Sequence, residues 1–202
     1  MGRQIPTRIW VKILLCHFIY RVRYENKEKL QNVPRCVVCP NHTTIYDPFF
    51  IYNAQKWDNN IYIMAKSELF KSKIMQKIWK HYHVFPVDRN RIDVKSTLKA
   101  ASVFEENKGN AQLLIFPEGK VITDPKEIGR VRNGAVYTAV NAGVPIVPVH
   151  ICRKHHLFGK IKVTFGDKID IDPKAKNDKE LIIKESKRVL REIYKMEGLE
   201  ID

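Results

Sequence analysis

Two kinds of apolar pattern alternate along the chain. Arg35–Cys39 is a short apolar run that ends at Pro40, and Asn60–Ala65 carries Ile61, Tyr62, Ile63 and Met64 in succession. Val84–Val87, Gln112–Phe116, Pro145–Ile151 and Lys160–Phe165 are further short apolar runs. Runs of this length and β-branched content predict strands, and Pro86 interrupts Val84–Val87 without excluding it. Between them the apolar positions recur at helical spacing. Asp93–Asn107 places Val94, Leu98, Ala101 and Phe104 on one face, and Glu180–Tyr194 does the same with Leu181, Ile182, Val189 and Ile193. Asp47–Ala54, Lys73–His81 and Val131–Asn141 read as helices, the last stopped by Gly143, as Gly109 stops 93–107. Strands separated by helices predict a single α/β layered domain with a central, mostly parallel sheet flanked by helices, over residues 25–202. Residues 1–24 precede it as a separate N-terminal amphipathic helix. There Ile5, Ile9, Ile13, Cys16 and Tyr20 fall near one face, with Arg8 and Lys12 off it and Trp10 and Phe18 adding aromatics. Such a helix either lies in a membrane headgroup layer or packs on its own domain.

Charge narrows the partners. The 202 residues hold 36 Lys and Arg against 22 Asp and Glu, a net +14, with a pI of about 9.6. The excess is concentrated: residues 1–29 and 66–91 each carry net +5, and 120–162 carry net +6. An excess of this size favours an anionic partner, whether nucleic acid, an acidic protein, phosphorylated metabolites or a membrane surface. No nucleic-acid-binding motif accompanies it. The longest uncharged window, Asn133–Cys152, is broken by Asn141, Pro145, Pro148 and His150 and does not read as a membrane span. Cys36 and Cys39 form a Cys-x-x-Cys close to His42, but no second pair completes a zinc site, and on a strand the two thiols face opposite sides. No metal is expected.

Two loops that follow strands carry chemistry. In Asn41-His42-Thr43-Thr44-Ile45-Tyr46-Asp47 an imidazole precedes a carboxylate by five residues. A carboxylate in reach of a histidine fixes its tautomer and stabilises the imidazolium that forms on proton uptake, as a general base requires. Asp47 ahead of Pro48 also fits a helix N-cap. The second loop, Phe116-Pro117-Glu118-Gly119-Lys120, is a tight polar turn. Taken alone, each loop has an ordinary structural reading as a surface His, a cap or a turn.

In order along the chain, Asn41–Asp47, Val84–Arg89, Phe116–Gly119 and Val144–Val149 resemble the four blocks of the glycerolipid acyltransferase family, whose best-known members are 1-acylglycerol-3-phosphate acyltransferases. The resemblance implies that His42 and Asp47 are catalytic. It implies that Arg89, Glu118, Gly119 and either Lys120 or Arg132 bind the acceptor headgroup and phosphate. It implies transfer of a fatty acyl chain from acyl-CoA or acyl carrier protein to the sn-2 hydroxyl of a lysophospholipid acceptor, with no cofactor beyond that thioester donor and no nucleic acid. Backbone N–H groups of the two loops are the expected oxyanion donors. An enzyme acting on lipids is expected peripherally on the cytoplasmic face of an anionic membrane, docked by residues 1–24 and by Lys71–His83 (Ile74, Ile78, Trp79, Tyr82). The chain departs from the family where Lys120-Val121-Ile122 stand after Gly119 in place of Thr-Arg-Ser. That departure keeps open a related acyltransferase with another glycerol-phosphate or lysolipid acceptor. A non-enzymatic basic membrane-binding protein is the remaining alternative.

Overall fold

In a computed structural model, residues 20–55, 60–87, 94–152 and 159–201 are described here. Residues 1–19 of the expected N-terminal helix lie outside them, as does Arg89. Seven strands form one sheet: β1 (Arg21–Glu25), β2 (Arg35–Pro40), β3 (Asn60–Lys66), β4 (Val84–Val87), β5 (Ala111–Leu114), β6 (Ile146–Ile151) and β7 (Lys160–Phe165), in the spatial order β1-β7-β6-β2-β5-β3-β4. All neighbours pair in parallel except β6 and β7, so β1 and β7 run opposite to the other five. The helices are α1 (Glu28–Gln31), α2 (Asp47–Ala54), α3 (Lys73–His81), α4 (Val94–Glu106), α5 (Gly134–Ala142) and α6 (Lys179–Lys195).

The central strand explains the layering. Successive β2 side chains point to opposite faces. Cys36 and Val38 join a core with Phe50, Ile51 and Ala54 of α2 and with Leu114 and Val147. Val37 and Cys39 join a second core with Phe104 of α4, Val136 and Ala139 of α5, and Val189, Leu190 and Ile193 of α6. Fully burying such a side chain contributes about 1.5–3 kcal/mol, so covering both faces favours the apolar, non-alternating strands read from the sequence. Burial pushes both the Cys36 and Cys39 thiols up, beyond the ordinary thiol range.

Three boundaries differ from the sequence reading by more than one residue. Arg21–Glu25, of which residues 21–24 belong to the expected N-terminal helix, is an edge strand. Val22 and Tyr24 pack against the first core between outward Arg21 and Arg23, and Val22 pairs with Ile161 of β7. The domain therefore begins within the 1–24 segment. β5 stops at Leu114, although the Ile115 N–H still reaches the Val38 carbonyl at 3.0 Å. α5 starts at Gly134 and not at Val131, because the Arg132 N–H is drawn to the Pro117 carbonyl at 2.7 Å. Its stop is as expected: Gly143 takes a left-handed conformation (φ 62°) and its N–H bonds the Ala139 carbonyl.

Candidate active site

Because β2 and β5 are parallel neighbours, with Val38 opposite Leu114, the loops that follow them emerge side by side. This is the carboxyl edge of the parallel strands, where open α/β sheets place ligands. The first loop starts with Asn41, fully buried, whose Nδ2 donates to the Ile151 carbonyl at 2.9 Å and whose Oδ1 accepts from the Ile151 N–H at 2.7 Å. The end of β2 is thereby tied to the end of β6.

His42 follows, 8% exposed, with its ring stacked on Phe116 at 3.9 Å. Its Nδ1 bonds Asp47 Oδ2 at 2.9 Å. Asp47 is fully buried and accepts four more hydrogen bonds, from the N–H groups of Thr43 (2.5 Å) and Thr44 (2.8 Å) and from their hydroxyls (2.9 and 3.0 Å). Five donors converging on its two oxygens hold the side chain in one orientation. The expected N-cap role is not what this side chain does. Tyr46 occupies the cap position, Asp47 is the first helical residue with Pro48 behind it, and its carboxylate turns back onto the loop. With Nδ1 committed to Asp47, Nε2 is the ring nitrogen left to exchange a proton with a substrate.

The second loop supplies Glu118, 1% exposed. Its Oε2 accepts the His42 N–H at 2.6 Å and its Oε1 accepts the Tyr194 hydroxyl of α6. Both oxygens thus have partners inside the protein, an arrangement suited to joining the loops and not to meeting a headgroup. Gly119 adopts φ +73°, and the space a Cβ would occupy there is filled by Cδ and Nε of the Arg132 side chain. Arg132, itself exposed, is thus laid across the Glu118-Gly119 turn. Lys120 is turned aside into an ion pair with Glu127 at 2.6 Å, which offsets its charge.

Of the residues named from sequence, His42, Asp47, Glu118, Gly119 and Arg132 come together, whereas Lys120 points to Glu127. The backbone donors expected for an oxyanion are largely engaged. The N–H groups of His42, Thr43 and Thr44 go to Glu118 and Asp47, and those of Gly119 and Ile122 go to the Phe116 and His42 carbonyls. Sequence reasoning gave no role to the Thr43 and Thr44 side chains, to Phe116 as a ring support, or to Tyr194. Two hydroxyls inside the His-to-Asp interval were a readable sign. Tyr194, on a distant helix face, gave none.

Among the described residues no group of His, Cys, Asp and Glu could hold a metal ion, and no helix is long and apolar enough to cross a membrane.

Comparison with known proteins bears on the family and the fold. An acyltransferase family model matches residues 21–152. The chain is 28% identical over 144 residues to the 1-acyl-sn-glycerol-3-phosphate acyltransferase of Pseudomonas aeruginosa, covering 68% of this chain and 52% of the relative. It is 30% identical over 134 residues to the human 1-acyl-sn-glycerol-3-phosphate acyltransferase beta, covering 65% and 47%. It is 26% identical over 159 residues to an uncharacterised acyltransferase of Schizosaccharomyces pombe, covering 78% and 56%. The chain spans about half the length of these relatives. In fold it is similar to the crystal structure of the 1-acyl-sn-glycerophosphate acyltransferase PlsC of Thermotoga maritima. The TM-score is 0.66 at 20% identity, over 96% of this chain and 80% of that one.

Proposed function

On the premise that this chain belongs to the acyltransferase family, we propose that it moves a fatty acyl chain from an acyl thioester, acyl-CoA or acyl carrier protein, to the sn-2 hydroxyl of a 1-acylglycerol 3-phosphate, yielding phosphatidic acid. The observation that carries the reading is the buried His42–Asp47 pair, with Asp47 held by five donors. His42 Nε2 takes the proton of the acceptor hydroxyl as its oxygen attacks the thioester carbonyl. Asp47 holds the tautomer and stabilises the imidazolium. Collapse of the tetrahedral intermediate breaks the C–S bond, and the departing thiolate takes the proton back from His42. Arg132, lying over Gly119, meets the acceptor phosphate, and Arg89 is assigned to the same anion by resemblance. Glu118 braces the two loops.

Both substrates are amphiphiles, so the enzyme works peripherally on an anionic, cytoplasm-facing bilayer. A related reaction on another glycerol-phosphate or lysolipid acceptor is the second reading. It is favoured by the Lys120–Glu127 pair, which occupies a cation beside the turn.

The test is a panel of lysolipid and glycerol-phosphate acceptors against both donor types. Turnover is expected to be highest with 1-acylglycerol 3-phosphate and to fall roughly 10²–10⁴-fold in His42→Ala. A folded His42→Ala chain with normal turnover would sink the scheme. A clear preference for another acceptor would select the second reading.

A further inference from the structure

Glu118 is reached from two directions. On one side its Oε2 accepts the backbone N–H of His42, and on the other its Oε1 accepts the hydroxyl of Tyr194. Tyr194 lies near the end of α6, fully buried among the second core with Ile193, Leu190 and Val189. Its ring meets that of His150 on β6 edge-on, at 6.2 Å and 62°. His150 is in turn tied through Nε2 to Glu197 Oε2 at 2.9 Å, just beyond the helix. The position of the hydroxyl is thus set by α6 and by β6 together.

We propose that Tyr194 is a positioning residue for acyl transfer: its hydroxyl holds the Glu118 carboxylate, and through it the backbone of the base His42. The inference rests on the reading of His42 as general base. Three neighbouring side chains hold His42, Asp47 at Nδ1, the Phe116 ring against its face and Glu118 at its N–H, and the Ile122 N–H meets its carbonyl. Two of the three belong to the Phe116–Gly119 loop, so whatever fixes that loop fixes the base. A buried carboxylate that loses a donor rotates to recover one. If Glu118 turns, the His42 N–H loses its acceptor and the imidazole shifts relative to the acceptor hydroxyl. A displacement of about 1 Å costs on the order of 10²-fold in rate. Because Glu118 faces inward, the effect falls on turnover and not on acceptor binding.

The test uses the full chain with palmitoyl-CoA and 1-oleoylglycerol 3-phosphate. Tyr194→Phe keeps the ring and removes the hydroxyl. Its kcat is expected to fall roughly 10- to 100-fold, with both KM values within about twofold of the parent. Ile193→Val, a neighbour on the same helix, loosens packing but keeps the hydroxyl, and is expected to lower Tm while sparing kcat. In a Glu118→Gln background the carboxyl group that Tyr194 holds is already replaced, so Tyr194→Phe should add little further loss. That double variant decides the matter if Tyr194→Phe alone does not fold. The inference is overturned by an unchanged kcat in Tyr194→Phe, by a change confined to acceptor KM, by an equal kcat loss in Ile193→Val, or by additive losses in the double variant. When His42→Ala is inactive and Tyr194→Phe is fully active, this inference alone fails. When the parent chain transfers no acyl group to any acceptor, the functional reading fails with it.

Discussion

Asp47 shows how much one residue's meaning depends on what reaches it. Its pairing with His42 was legible in the spacing of the first loop. Its five donors were not, since the Thr43 and Thr44 groups that converge on it depend on how the loop closes before α2. The same holds for Glu118, where a Pro-Glu-Gly turn reads as a solvent carboxylate until its two partners, each 76 residues away, are placed. Asp47→Asn replaces one acceptor oxygen with a donor that must face N–H groups. We expect kcat to fall roughly 10²–10⁴-fold with acceptor KM nearly unchanged, and stability to drop by about 1–3 kcal/mol. Steady-state kinetics and thermal melts on the same preparation check both. A variant with raised KM and normal kcat would remove Asp47 from its orienting role.

Elements were most legible where pattern and neighbours agreed. The bounds of α2, α3, β4 and β7 coincide with those read from periodicity, because each is closed by a turn, a proline or a polar run. β1 was hidden because alternating Arg21, Val22, Arg23 and Tyr24 acquire meaning only beside β7. Once placed, β1 also braces α2, since the Tyr24 hydroxyl donates to the Phe50 carbonyl at 3.0 Å. The element that bears most directly on the site is the end of β2, where Asn41 satisfies both backbone groups of Ile151. Asn41→Ala leaves a buried N–H and a buried carbonyl without that partner. It is expected to cost about 2–3 kcal/mol, read as a Tm drop of roughly 4–12 °C for a domain of this size. A change of under a degree would mean that β6 is held in place independently of the loop. Turnover should fall as well, since the same residue carries the chain into His42.

For the whole molecule, +14 was only a pointer to some anion, and the fold gives part of it an address. Ile45 and Leu69 are 71% and 51% exposed, and both follow strands of the parallel set, so they stand on the same edge as His42. Lys71 and Lys73 are exposed next to Leu69. Of the aromatics expected to dock from this region, Tyr82 is in the core and Trp79 packs against it, its Nε1 donating to the Leu69 carbonyl at 3.0 Å. We therefore expect Ile45→Glu with Leu69→Glu to weaken co-sedimentation with anionic vesicles severalfold, and binding of the parent to fall as salt rises. Binding indifferent to both changes would move the docking surface elsewhere. One feature of the sheet also has a temporal side. β1 pairs in parallel with β7, and Glu25 accepts from Thr164 across a separation of 139 residues. At roughly 5–20 residues per second on a ribosome, β1 waits about 7–28 s for its partner, and Tyr194 emerges later still. The base loop is thus made early, and the Tyr194 contact to its partner Glu118 comes only once α6 has been made.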